Sequence, residues 1–191
     1  RGRPSQPLFP DPARRSAARV PTSEPDETCD REHLGALLHE ARGEEVADEL
    51  AAPFGQEVTV RVTHCGICHS DLHVQAGGFD MGGGKMSSLE RAGTQLPVTM
   101  GHEIGGEVVE IGPEVTGVKL GDKVIVYPWL GCGSCPVCER GDDHLCPRAS
   151  RNMGIQLPGG YADLVRVPHE RYLVPIGTLE PARAATYACA G

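Results

Sequence analysis

VTVRVT, residues 58–63, sets Val58, Val60 and Val62 against Thr59, Arg61 and Thr63. Successive side chains of a β-strand point to opposite faces, so this two-residue period predicts a half-buried strand with the valines inward. Working outward, residues 106–111, 123–127 and 161–167 read as further strands. Turn signals stand between them at Gly121-Asp122 and at Pro158-Gly159-Gly160. Short strands joined by turns predict a mainly β fold with short helices, built as a small antiparallel barrel or sandwich. A chain of 191 residues with Gly 25 and Pro 16 fits one such domain better than a helical protein.

Towards the N-terminus the texture changes. Residues 30–50 are acidic and rich in Ala, Leu and Glu, and Leu34, Leu37, Leu38 and Ala41 at helical spacing predict a helix. Arg1, Arg3, Arg14, Arg15 and Arg19 lie among prolines with no apolar period, so residues 1–33 read as a disordered or misassigned tail. The domain is then expected over 34–191. Residues 77–93 (GGFDMGGGKMSSLERAG) read as a long surface loop with little structure of its own.

Composition excludes several function classes. The formal net charge of -8 argues against nucleic acid, which selects a basic face. No apolar run approaches the roughly 20 residues of a membrane-spanning helix. The Arg-rich start has no apolar segment behind it, so it is not a secretory signal. Eight cysteines without an export signal, six of them crowded into two clusters, read as metal ligands in a reducing compartment, which predicts a cytoplasmic protein.

Cys132-x2-Cys135-x2-Cys138-x7-Cys146 offers four thiolates within one loop, spanning an expected lobe over 130–148. Zinc takes four such ligands at tetrahedral corners, and a closed four-cysteine site is structural because no position remains for substrate. Gly131, Gly133 and Pro136 permit the tight turns that a knuckle needs. A second set is scattered: Cys65-Gly66-Ile67-Cys68-His69-Ser70-Asp71-Leu72-His73, then Gly101-His102-Glu103, then Cys189. Two thiolates and an imidazole would make a three-ligand zinc site with an open position, as a catalytic zinc requires. Spacing alone does not select these three, since Cys65 with Cys68 also suits a redox pair or half of a zinc ribbon, and a lone histidine is more often structural.

Gly101-His102-Glu103-x2-Gly106-x5-Gly112-x2-Val115 resembles the signature of zinc-containing medium-chain alcohol dehydrogenases, and the CGICHSDLH segment and the four-cysteine loop stand at that family's relative positions. The chain is especially similar to the NAD(H)-dependent bacterial and thermophilic-archaeal branch, through the long loop before Leu96-Pro97-Val98-Thr99-Met100 and Pro128-Trp129 ahead of the lobe. The likeness runs from about residue 54 to 191 and leaves 1–33 outside it. It implies a twisted barrel like that of the co-chaperonin GroES, with a zinc-binding structural lobe. It also implies a catalytic zinc on Cys68, His102 and Cys189, with Cys65 not a ligand, and a structural zinc on Cys132, Cys135, Cys138 and Cys146.

The resemblance further implies oxidation of a primary or secondary alcohol to an aldehyde or ketone, by hydride transfer to NAD(H) or NADP(H). Ser70 would take the alcohol's proton and pass it through the cofactor ribose to His73. Asp71 would accept from the His102 ring nitrogen turned away from zinc. Glu103 would stand beside that ligand or act as a transient fourth one, His69 would lie near the cofactor phosphates, and Trp129 would line an apolar substrate pocket. The partners implied are small-molecule alcohols and aldehydes, with a homo-oligomer for the complete enzyme.

The family's Gly-x-Gly-x-x-Gly segment between strand and helix has no counterpart here, and Gly82-Gly83-Gly84 neither follows a strand nor opens a helix. The doubly wound (Rossmann) cofactor domain is thus expected to be absent from the chain, leaving a fragment inactive on its own. The alternative is a non-catalytic zinc-binding GroES-like module or remnant. A zinc-free quinone reductase is disfavoured because that branch lacks the four-cysteine lobe.

Overall fold

A computed structural model describes residues 50–148 and 150–189 of the chain. The expected tail at 1–33 and the helix at 34–41 lie outside the described residues. The elements, in chain order, are β1 (Val58–Gly66), α1 (His69–Gln75), β2 (Gly78–Asp80), β3 (Met86–Ser88), β4 (Glu103–Ile111), β5 (Lys123–Val126), β6 (Trp129–Leu130), α2 (Pro136–Glu139), β7 (Arg151–Asn152), β8 (Leu164–Val167), β9 (Leu173–Pro175) and α3 (Pro181–Ala184). One antiparallel sheet in the order β8-β1-β4-β5-β9 forms the body, and β2-β3 and β6-β7 are small two-stranded ribbons. The architecture is mainly β with few short helices. Among the described residues there is no parallel doubly wound domain, and no helix is long and apolar enough to cross a membrane.

The core lies where the period of β1 places it. Val58 and Val60 are fully buried against Ile104, Val108, Val124 and Val165 from the neighbouring strands. Thr59, expected on the polar face, is buried as well, and its hydroxyl donates to Glu110 Oε2 at 3.0 Å. The pairing of β1 with β4 shifts register between Thr59 and Val60, with Val109 of β4 as the extra residue. The strand expected at 106–111 begins three residues earlier, at Glu103, which brings the His102 segment to the edge of the sheet. The strand expected from Tyr161 begins only at Leu164.

Residues 77–93 hold more structure than expected. Gly78, Phe79 and Asp80 pair with Ser88, Ser87 and Met86, around a tip closed by the Met81 N–H donating to Lys85 O at 2.8 Å. Leu89 is buried with Val74, Val98 and Ile155 in a second apolar cluster beneath α1. The glycines that made this stretch read as a loop supply the tip, and one buried leucine anchors its base.

Candidate metal centres

Cys68 caps α1 in an extended conformation, and its own N–H donates to Asp71 Oδ2 at 2.9 Å, so the helix start holds the thiol at a fixed angle. His102 and Glu103 open β4, and both side chains are buried. Cys189 follows the 3-10 turn Ala185–Ala188, which packs with α3 against β4. Gly105 permits that approach: a Cβ there would meet Pro181 O at 2.9 Å. Donor atoms of Cys68, His102, Glu103 and Cys189 all lie within 4.8 Å of one another, and the two sulfurs are 3.7 Å apart. Two thiolates on one tetrahedral zinc stand about 3.8 Å apart when each bond is about 2.3 Å, so the donor set fits that ion. Gly66 makes room for the fourth donor, since any side chain there would overlap the Glu103 carboxylate. Cys65 falls outside the group, and burial, with the Asp71 charge, pushes its thiol up to about 12.

Asp71, also buried, binds the ligand segments together. Its Oδ2 accepts from the Cys68 N–H and from the Tyr161 hydroxyl at 3.0 Å, and its Oδ1 accepts from the Gly101 N–H at 3.3 Å. His102 Nδ1 approaches Oδ1 to 3.4 Å without the alignment of a hydrogen bond. Burial works to raise the Asp71 pKa, but the His102 ring, the Cys68 N–H and the Tyr161 hydroxyl together hold it below the usual range. Burial likewise opposes charge on His102, and the Asp71 carboxylate and Cys68 outweigh it, so the ring's pKa is raised. Cys68 is lowered against its own burial by Ser70, His102 and Cys189, while burial and the neighbouring Cys68 push Cys189 up to about 11. One thiol is therefore poised to ionise beside a reluctant partner, and a divalent cation would draw the second proton off.

The four-cysteine loop closes on itself. Sulfur separations are 3.5 Å for Cys135–Cys138 and 4.0 Å for both Cys132–Cys138 and Cys135–Cys146, again tetrahedral spacing. Cys135 caps α2, and Pro136 occupies the first helical position where its missing N–H costs nothing. The Ser134 N–H lowers the Cys132 thiol to about 6, whereas burial pushes Cys138 up to about 12. Sequence reading missed what fastens this lobe to the sheet. The Tyr172 hydroxyl donates to Asp143 Oδ1 at 3.0 Å and accepts from the Gly131 N–H at 3.2 Å. Arg171 pairs with the same carboxylate and reaches Cys138 O at 3.4 Å. Single tyrosines, aspartates and arginines carry no spacing signal, so nothing in the sequence marked these three.

The remaining expected site residues divide. Ser70 Oγ lies 3.7 Å from Cys68 Sγ, at the mouth of the mixed-ligand cluster. His69 and His73 stack edge to face at 4.7 Å, with His73 in turn 5.1 Å from the Phe79 ring of β2. Trp129 is half-buried on β6, its ring 5.4 Å from that of Tyr127 beside the four-cysteine lobe. Tyr161, read only as the start of a strand, instead belongs to the mixed-ligand cluster through Asp71.

The sequence pattern of the alcohol dehydrogenase GroES-like domain matches residues 55–178. The NAD-dependent alcohol dehydrogenase of Saccharolobus solfataricus is 42% identical over 139 residues, 73% of this chain and 39% of that protein. An alcohol dehydrogenase of Geobacillus stearothermophilus is 39% identical over 138 residues, 71% of this chain and 37% of its own length. In three dimensions, a thermostable alcohol dehydrogenase from Pyrobaculum aerophilum superimposes with a TM-score of 0.66 at 29% identity, over 91% of this chain and 43% of that one. The D-arabinose dehydrogenase of Sulfolobus solfataricus gives 0.62 at 32% identity, over 74% and 40% respectively. The chain thus spans about two fifths of the length of the curated relatives it matches. Because the matched pattern takes in most of its residues, the chain belongs to the alcohol dehydrogenase family and carries that family's GroES-like domain.

Proposed function

We propose that this chain is the catalytic domain of a zinc-dependent alcohol dehydrogenase that oxidises primary or secondary alcohols to aldehydes or ketones with NAD or NADP. The supporting observation is the meeting of Cys68, His102, Glu103 and Cys189, drawn from both ends of the domain, with all donor atoms within 4.8 Å. Cys68, His102 and Cys189 would hold the catalytic zinc, with Glu103 as the nearby exchangeable donor. Cys132, Cys135, Cys138 and Cys146 would hold the structural one, giving two zinc ions per chain. A zinc at the mixed site supplies a Lewis acid that makes a bound alcohol easier to deprotonate, and the nicotinamide supplies the hydride acceptor.

The chain's own residues supply positioning and proton movement. Asp71 orients the His102 ring. Ser70 Oγ accepts the proton leaving the alcohol oxygen, and His73, one turn further along α1 on the same face, exchanges protons with solvent. His69 lies towards the cofactor phosphates, and Trp129 forms an apolar pocket wall that favours hydrophobic or aromatic alcohols. Turnover would need a dinucleotide-binding segment in addition to the described residues, so residues 50–189 alone are expected to bind zinc without oxidising alcohol. The cytoplasm and a homo-oligomeric complete enzyme complete the reading.

Elemental analysis should find two zinc ions per chain in the parent and one in His102→Ala. In the full-length protein, alcohol-dependent NADH or NADPH formation should vanish in the same variant. Undiminished alcohol oxidation after loss of His102 would defeat the assignment.

A further inference from the structure

Of the groups gathered around Asp71, those of Cys68, Gly101 and His102 belong to the two segments that carry metal donors. The fourth does not. Tyr161 arrives from residues 159–161, which pair by main chain with 99–101: Gly159 N–H to Thr99 O and Gly160 N–H to Gly101 O, both at 2.7 Å, and Tyr161 N–H to Met100 O at 3.0 Å. Its ring lies across Gly101, where a Cβ would sit 2.7 Å from the ring's Cδ1. Tyr161 is part-exposed as a residue, and its hydroxyl turns inward, to the buried Asp71 carboxylate at 3.0 Å and to Gly66 O at 3.4 Å.

We propose that Tyr161 is a positioning residue for the mixed-ligand metal site. Its hydroxyl holds Asp71 Oδ2, which keeps Oδ1 directed at His102 Nδ1 and leaves Nε2 as the ring's metal donor. The proposal rests on the assignment of Cys68, His102, Glu103 and Cys189 to zinc. It adds a third strand of chain to the support of that site. Without the hydroxyl, the carboxylate keeps its main-chain donors but loses the side chain that fixes its free edge, and the His102 ring loses orientation with it. Partners that orient a ligating histidine typically carry about 10-fold to 100-fold of metal affinity.

Cobalt reports on the two sites separately, because a four-thiolate site and a two-thiolate, one-imidazole site give different charge-transfer and d–d absorption. The metal-free full chain is titrated with cobalt alone, in competition with a chromophoric chelator, for the parent, Tyr161→Phe and His102→Ala. His102→Ala identifies the bands of the mixed site by their loss. Tyr161→Phe keeps the ring on Gly101 and should weaken cobalt binding at the mixed site about tenfold, with shifted d–d bands there. Its four-thiolate bands and its thermal midpoint should match those of the parent. Equal affinity and equal bands at the mixed site would overturn the proposal while leaving the zinc assignment standing. Parallel weakening at both sites with a lowered midpoint would overturn it too, by making Tyr161 a support of the fold. A parent that takes up a single cobalt would overturn the proposal together with the assignment beneath it.

Discussion

Gly66 and Gly101 show how much of the mixed site depends on side chains that are missing. Gly101 adopts φ +90°, a left-handed conformation that L side chains rarely enter, and faces the Tyr161 ring and Cys65 Sγ. Gly101→Ala should therefore destabilise the fold by about 2 kcal/mol or more, read from urea unfolding of the zinc-loaded chain. Gly66 has no such conformational demand, only the Glu103 carboxylate against it. Gly66→Ala should displace Glu103 and weaken zinc at the mixed site while the four-cysteine site keeps its ion, and zinc competition assays distinguish the two. A variant that holds both ions as tightly as the parent would remove Glu103 from the site. At this scale the sequence was legible only in part. Cys68, His102 and Cys189 carry no shared spacing and emerged through the family likeness, whereas Tyr161 had no pattern to announce it. A hydroxyl that acts through a carboxylate on an imidazole leaves no periodic trace.

Among the elements, the 3-10 turn Glu170–Tyr172 connects sheet and lobe. Asp143→Ala would leave the Tyr172 hydroxyl and Arg171 without their buried carboxylate, and a loss of about 2 kcal/mol in unfolding free energy is expected. His169 caps the same turn by accepting from the Arg171 N–H at Nδ1, 3.1 Å away, which requires that nitrogen unprotonated. Burial, then the Arg171 charge, holds the ring's pKa below its ordinary 6.5. The unfolded chain therefore takes up a proton first on acidification. The contribution of His169 is present in full above the ordinary value and is lost as pH falls through the lower folded one. His169→Asn caps the turn without titrating. Between about pH 7 and about pH 5 the parent should lose more stability than this variant, and identical pH profiles by chemical unfolding would show that the cap does not titrate. Strand existence was readable here because Val58 and Val60 alternate into the core. Strand ends were not, since Tyr161 spends its N–H on Met100 instead of on a sheet neighbour. The hairpin at 78–88 was hidden by the glycines of its own tip.

Taken whole, the molecule holds its two donor sets at different depths of organisation. Chelator added to the zinc-loaded chain should remove the mixed-site ion first, with circular dichroism little changed. Release of the second ion should coincide with loss of ordered structure around the lobe, because Cys135, Cys138 and Cys146 form a small apolar core of their own. Simultaneous release in a single step would show that the sites are not independent. Domain class was legible from alternating valines and turn pairs, and the closed lobe from four cysteines in one loop. Two residues at opposite ends of the domain cannot be seen to meet until the strands between them are placed.

That separation sets a timetable. Cys68 and Cys189 are 121 positions apart, whereas the four lobe cysteines span 14 between first and last. Closing the longer loop costs only about 2 kcal/mol more in chain entropy, so the difference is chiefly one of sequence in time. A nascent chain leaving the ribosome exposes the whole lobe dozens of residues ahead of Cys189, and the lobe can capture its ion while the last strands are still within the ribosome. The mixed site acquires its second thiolate only when nearly all of the described chain exists, so metal there serves as a certificate that the strands lying between Cys68 and Cys189 have been assembled.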